Sequence, residues 1–155
     1  MTHSHPALHE VITATMPQLH QHCRDPWAVI GSAAVVLAGA DIDIADLDLL
    51  TSIDDAERLI TLWQSRLDTS YTPGAANRFR SRFARFRFPG MPVEVMGGLE
   101  LYGAQGWQAV QVNDIVHVIY AGIAVPIPAR TEQIRILESF GRPKDLQRTE
   151  VLRAL

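Results

Sequence analysis

The chain carries one cysteine, Cys23, in 155 residues. A single thiol cannot build a disulfide framework, and that usage fits a reducing compartment. Positive charge is not in excess. The formal net charge is −3, so nothing global marks a nucleic-acid binder. Long apolar runs are also missing. The longest uncharged stretches, near 28–40 and 116–129, are too short to span a bilayer and contain glycine or proline. The N-terminus, Met1-Thr-His-Ser-His-Pro6, has neither the cationic start nor the apolar segment of a secretion signal. These absences predict a cytoplasmic protein with no membrane partner.

What is present is ordinary for a globular protein: 47% hydrophobic and 20% charged residues. The length suits one domain over 1–155, with an N-terminal helical segment (1–25) and a C-terminal helix (141–155). Leu8, Val11, Ile12, Met16 and Leu19 have helical spacing over 7–22, and Pro17 is expected to kink or split that helix. Residues 26–30 read as a buried strand ended by Gly31, and Ser32–Leu37 as a helix of small residues closed by Gly39. Asp46–Leu50 reads as a strand. Ser52 and Asp55 have the spacing of a capping box that opens a helix facing inward through Ala56, Leu59, Ile60, Trp63 and Leu67. Residues 77–88 and 92–96 are strand candidates. Asn113-Asp114 looks like a hairpin turn between 107–112 and 115–120. Pro126 and Pro128 mark a loop. Thr131 is a candidate cap for a helix through Phe140, stopped by Gly141, with a last helix from about Lys144. The order predicts an α/β (α+β) domain with a mixed β-sheet and flanking helices.

Within it, Gly31-Ser32 precedes two carboxylates spaced by one residue, Asp46 and Asp48. Side chains at i and i+2 of a strand share a face, so both project together while Leu47 and Leu49 pack behind them. Hard divalent cations take oxygen ligands, often one or two carboxylates plus substrate phosphates. Asp41 and Asp43 form a competing pair. Ile42 and Ile44 alternate on even positions, whereas Leu47 and Leu49 alternate on odd ones. One continuous strand cannot serve both phases. The run Leu47, Leu49, Leu50 leads into the next helix cap and favours Asp46 and Asp48; Asp41 and Asp43 then lie in a solvated loop. Gly31 would let the backbone approach a phosphate. Ser32, at a helix start, would offer a hydroxyl and free N–H groups to an anion.

Residues 77–88 hold five arginines and four phenylalanines. Arg78, Arg80 and Arg82 share one parity; Arg85 and Arg87 share the other, so aligning all five needs a bulge. They form a basic wall for a triphosphate, a face for a single-stranded nucleic acid, or a solvated edge with phenylalanine in the core. Arg142 and Lys144 lie beside a helix start within reach of phosphate, and Asp145 suits the cap. His3, His5, His9, His20 and His22 gather near the N-terminus, the first two in an expected tail, without the cysteine or carboxylate framework of a zinc site. His117 reads as a core or edge residue, and Cys23 has no evident partner.

Gly31-Ser32 with Asp46-Leu-Asp48-Leu resembles the signature of the polymerase-beta-type nucleotidyltransferase superfamily, closest to its minimal and abortive-infection-type members. Pro92-Val-Glu94-Val-Met-Gly-Gly-Leu99 resembles the later strand that delivers a third carboxylate, commonly Asp in that family. Gly141-Arg-Pro-Lys-Asp145-Leu is similar to the segment that opens a C-terminal helix in several members. The resemblance implies transfer of a nucleoside monophosphate from an NTP to an unidentified acceptor: a small molecule, a protein side chain or an RNA end. It implies Mg²⁺ or Mn²⁺ on Asp46, Asp48 and Glu94, and nucleotide binding by Gly31, Ser32, Arg78, Arg80, Arg82, Arg142 and Lys144. The rival readings are a non-catalytic nucleotide- or partner-binding domain, such as the antitoxin-like half of a two-protein system, and an unrelated interaction protein whose aspartates are incidental.

Overall fold

A computed structural model describes residues 5–155; of the tail expected to hold His3 and His5, His3 lies outside them, whereas His5 is the N-cap residue of the first helix. In chain order the elements are α1 (Pro6–His22), β1 (Ala28–Ile30), α2 (Gly31–Leu37), β2 (Leu47–Thr51), α3 (Ile53–Leu62), β3 (Phe79–Phe86), β4 (Val93–Gly103), β5 (Gly106–Ala109), β6 (Ile115–Tyr120), β7 (Ile123–Pro128), α4 (Arg130–Phe140) and α5 (Pro143–Arg153). A 3₁₀ turn at Gln64–Arg66 follows α3. The main sheet runs β1-β2-β4-β3, with β5 continuing on the β4 edge that β2 occupies. Only β2 and β4 are parallel. The mixed α/β class is as expected.

One sheet face is the core. Val29, Leu47, Leu49, Ala84, Phe86, Val93 and Val95 are buried against Leu8, Val11, Ile12, Met16 and Leu19 of α1 and Ala56 and Leu59 of α3. This apolar stripe carries α1 through Pro17 as one helix, where a kink or split was expected. The proline removes one intrahelical donor, but that cost is offset by the five side chains the helix buries. Trp63 closes α3 earlier than the pattern suggested: it lies edge-on to Phe86 and Phe88, and its Nε1 donates to Gln18 Oε1 at 2.6 Å. Leu67 lies beyond the 3₁₀ turn, bridged to Phe86.

Three local expectations are corrected. Asn113-Asp114 is not a hairpin turn: β5 pairs back onto β4, and β6 pairs with β7. Asn113 N is bound instead by Glu132 Oε1 of α4, and Arg135 of α4 binds Gln111 O. The real turn is Ala121-Gly122, both at positive φ, as a tight hairpin requires. Pro126 and Pro128 then fall inside β7. From Tyr120↔Ile123, hydrogen-bonded and non-bonded pairs alternate, which puts both prolines at non-bonded pairs. No ladder bond is lost there. Finally, α4 is capped at Ala129 without a side-chain bond, so Thr131 is not its cap.

Ser52 does cap α3, accepting from Asp55 N at 3.0 Å. Asp55 does not return the bond. Its fully buried carboxylate accepts from Arg24 N and Asp25 N and pairs with Arg58. It thereby ties the α1–β1 connection to α3. Asp55→Ala is expected to destabilise the protein by about 1–3 kcal/mol for each amide left without a partner. A lower urea midpoint with an unchanged slope checks this.

No helix among the described residues is long and apolar enough to cross a membrane. Burial pushes the Cys23 thiol up to about 12, so it is no nucleophile near neutral pH.

Candidate active site

The other sheet face carries polar groups in one cross-strand row. Ile30 of β1 pairs with Asp48 of β2, Asp48 with Glu94 of β4, and Glu94 with Arg85 of β3. Directly paired residues share a face, so Asp48, Glu94 and Arg85 point the same way. Asp46 lies two residues before Asp48, at the entrance of β2. One carboxylate oxygen from each of Asp46, Asp48 and Glu94 falls within 4.8 Å of the others. Asp41 and Asp43 stay outside, exposed in the loop before β2.

The electrostatics of this cluster are unfavourable for three bare carboxylates. Burial, then the charges of Asp46 and Glu94, holds the Asp48 carboxyl well above its ordinary value. Burial, then Asp46, raises Glu94, against the pull of Arg85. Asp48 Oδ1 is out of contact with solvent and has no hydrogen-bond partner. A buried acceptor left unmade costs free energy, and a cation among three oxygens would relieve it. The donor set, all carboxylate oxygen, matches a hard divalent ion. The residues therefore fit such an ion.

Gly31 explains why the chain turns where it does. Its φ is +70°, and a Cβ there would lie 2.6 Å from Asp48 Oδ2. Only glycine lets the β1–α2 corner pass this close to the aspartate. Ser32 follows, buried and lining the same cleft. That cleft measures about 660 Å³ and lies over Asp46, Asp48 and Glu94, with Tyr71, Phe79, Phe83 and Phe140 as its aromatic walls.

The arginines divide differently from the expectation. The bulge needed to align all five is absent from β3; the irregularity of the β3–β4 pairing places its extra residue on β4, where Gly98 has φ +60°. It leaves β3 in regular alternation, so Arg80 and Arg82 take the face of Ala84 and Phe86. Arg82 pairs with Glu57 of α3, on the far side of the sheet from the cluster. Arg80 borders the cleft, but its guanidinium pairs with Glu100 and lies 4.4 Å over the Trp107 ring. Arg78 sits over Phe79 and does not line the cleft. Arg85, of the opposite parity, is the arginine that reaches the carboxylates, with Nη1 2.8 Å from Glu94 Oε2. Choosing between the parities required the β3–β4 register, which is not local information.

At the cleft's other wall, α4 ends in left-handed Gly141 and α5 begins. The buried Asp145 carboxylate accepts from Arg142 N at 3.1 Å and from its guanidinium at 2.6 Å. This is the expected cap, and it also commits Arg142 to the corner. Lys144, the one lysine of the sequence, and Arg148 line the cleft without a carboxylate partner among the described residues. Arg148 and Tyr71 were missed by the sequence reading. Arg148 lies one helical turn after Lys144, a spacing that would have found it.

No family model matches the sequence, and no curated protein is significantly similar to it. Solved structures are similar in shape. A proposed nucleotidyltransferase from Thermotoga maritima superposes with a TM-score of 0.79 at 20% identity, over 99% of this chain and 94% of that one. The chain has the nucleotidyltransferase fold. The lincosamide antibiotic adenylyltransferase LnuA, solved with lincomycin bound, gives a TM-score of 0.60 at 11% identity, over 94% of this chain and 96% of that one. The antibiotic-resistance factor ANT(2'')-Ia, solved with adenylyl-2''-tobramycin, gives 0.55 at 10%, over 96% and 87%. At these identities the likeness speaks for the nucleotidyltransferase fold, and the site's own residues must carry the function.

Proposed function

We propose that this protein transfers a nucleoside monophosphate from an NTP to a hydroxyl-bearing acceptor, dependent on Mg²⁺ or Mn²⁺. The observation that carries the reading is the Asp46–Asp48–Glu94 cluster with its unpartnered buried oxygen on Asp48. These three residues would hold the ion. Bound there, a divalent ion supplies Lewis-acid stabilisation of charge on phosphoryl oxygens.

This chain's residues do the rest. Gly31 lets the backbone pass beside Asp48, whose carboxylate a Cβ there would meet at 2.6 Å. Ser32 lines that approach. Lys144 and Arg148, free of carboxylates, neutralise the triphosphate tail; Arg142 shapes the wall they project from. The acceptor oxygen attacks the α-phosphorus, the bond to the bridging oxygen breaks, and pyrophosphate leaves. The acceptor proton passes to a carboxylate of the cluster. Arg78, Arg80 and Arg82 take no part in this reading. A small-molecule acceptor is supported by two fold neighbours named as an antibiotic adenylyltransferase and an antibiotic-resistance factor.

The test is incubation with each α-labelled NTP, Mn²⁺ and a small-molecule extract. Labelled acceptor and free pyrophosphate are expected. Lys144→Ala and Arg148→Ala should each raise KM for the NTP by roughly 10- to 100-fold, the loss of one charge-assisted hydrogen bond. No label in any fraction, or unchanged KM in both variants, would contradict the reading.

A further inference from the structure

We infer that the cluster is built for one divalent ion, with the Arg85 guanidinium fixed in place of a second cation. This rests on the metal reading of Asp46, Asp48 and Glu94 proposed above. Arg85 lies opposite Glu94 in the sheet. Its Nη1 is 2.8 Å from Glu94 Oε2 and 4.0 Å from Asp46 Oδ2, and its Nε is 3.9 Å from Asp68 Oδ2. Its guanidinium lies 4.4 Å over the Tyr71 ring. The head group is thus gripped by Glu94, Asp68 and an aromatic face, with 21% of the side chain exposed. An arginine with these partners is part of the site's frame rather than an arm waiting for phosphate.

Charge counting leads the same way. Four ionised carboxylates (Asp46, Asp48, Glu94 and Asp68) against two guanidinium groups (Arg85 and Arg87, the latter 3.2 Å from Asp68) leave two negative charges, which one divalent ion cancels. Oxygen counting agrees. An ion held by one oxygen each of Asp46, Asp48 and Glu94 leaves Glu94 without an oxygen for a second ion, because its Oε2 already accepts from Arg85. A second ion would have to sit where a fixed positive charge stands within about 4 Å, against strong like-charge repulsion. The guanidinium steadies negative charge there, but unlike an ion it has no open coordination position. Removing it should free Glu94 Oε2 and open a second site.

The experiment is a Mn²⁺ titration of the full chain without nucleotide, counting free Mn²⁺ by electron paramagnetic resonance. Wild type is expected to bind one Mn²⁺ per chain, Arg85→Lys one, and Arg85→Ala two, with circular dichroism confirming that each variant is folded. Two ions on wild type would overturn the inference whatever the variants do. So would one ion on a folded Arg85→Ala. No Mn²⁺ on wild type, or binding to Asp48→Asn equal to wild type, would instead strike the metal reading beneath it.

Discussion

Asp48→Asn is expected to abolish nucleotidyl transfer and, in the absence of divalent metal, to raise the melting temperature. The two effects share one cause. Asp48 is buried between Asp46 and Glu94, and its ionised form is held there at a cost. The sign follows from proton linkage. Its folded pKa lies above its unfolded value near 3.8, so the native state binds more protons between the two. The Asp48 penalty is therefore absent below the unfolded pKa and grows as pH rises toward the folded one. Asparagine cannot ionise, and its amide can donate to Asp46 or Glu94 instead of repelling them. A gain on the order of 1 kcal/mol would move the melting temperature by roughly 2–4 °C for a domain of this size. The gap between variant and wild type should widen with pH above the carboxylate range. Transfer should fall by at least about 10²–10³-fold, the cost of losing one preorganised electrostatic group. A destabilised variant, or one with near-normal transfer, would contradict this account. Functional sites often hold such stored instability.

Gly31→Ala should be damaging on both counts. The backbone at Gly31 has φ +70°, which costs an L-residue about 1–2 kcal/mol. Its new Cβ would meet Asp48 Oδ2 at 2.6 Å, so the aspartate must swing away from Asp46 and Glu94. Transfer is expected to fall nearly as far as in Asp48→Asn. The double variant Gly31→Ala/Asp48→Ala separates the terms. With the carboxylate gone the clash goes too, and only the backbone strain remains. Its stability should exceed the additive sum of the single changes. Strict additivity in urea unfolding would mean that the glycine is needed for its conformation alone.

Much of the site was legible because it is local. The change of apolar phase between Ile44 and Leu47 separated the solvated Asp41 and Asp43 from Asp46 and Asp48. Glu94 came from the resemblance of Pro92–Leu99 to a carboxylate-bearing strand, and Asp145 from its place three residues after Arg142, as a cap. The arginines were not legible, because which of their two parities meets the carboxylates depends on the register of β3 against β4, which pairs Arg85 with Glu94. The strand expected over 92–96 runs on past the bulge at Gly98 to Gly103, because β3 and β5 continue to pair with it there. The prolines of β7 misled because their cost depends on which pairs of a hairpin are bonded, and the hairpin turn, Ala121-Gly122, was not recognised. Tyr71 belongs to an irregular loop, and its contacts, with Arg85 and Phe83 of β3, are distant in sequence.

The central claim is that Asp46, Asp48 and Glu94 together form a centre for a divalent cation. The melting temperature of wild type and Asp48→Asn, each measured with and without Mn²⁺, tests it most directly. A ligand that binds only the native state stabilises it in proportion to the logarithm of its concentration. The account predicts that Mn²⁺ raises the wild-type melting temperature progressively and leaves Asp48→Asn unmoved. An equal shift in both proteins, or none in wild type, would contradict it.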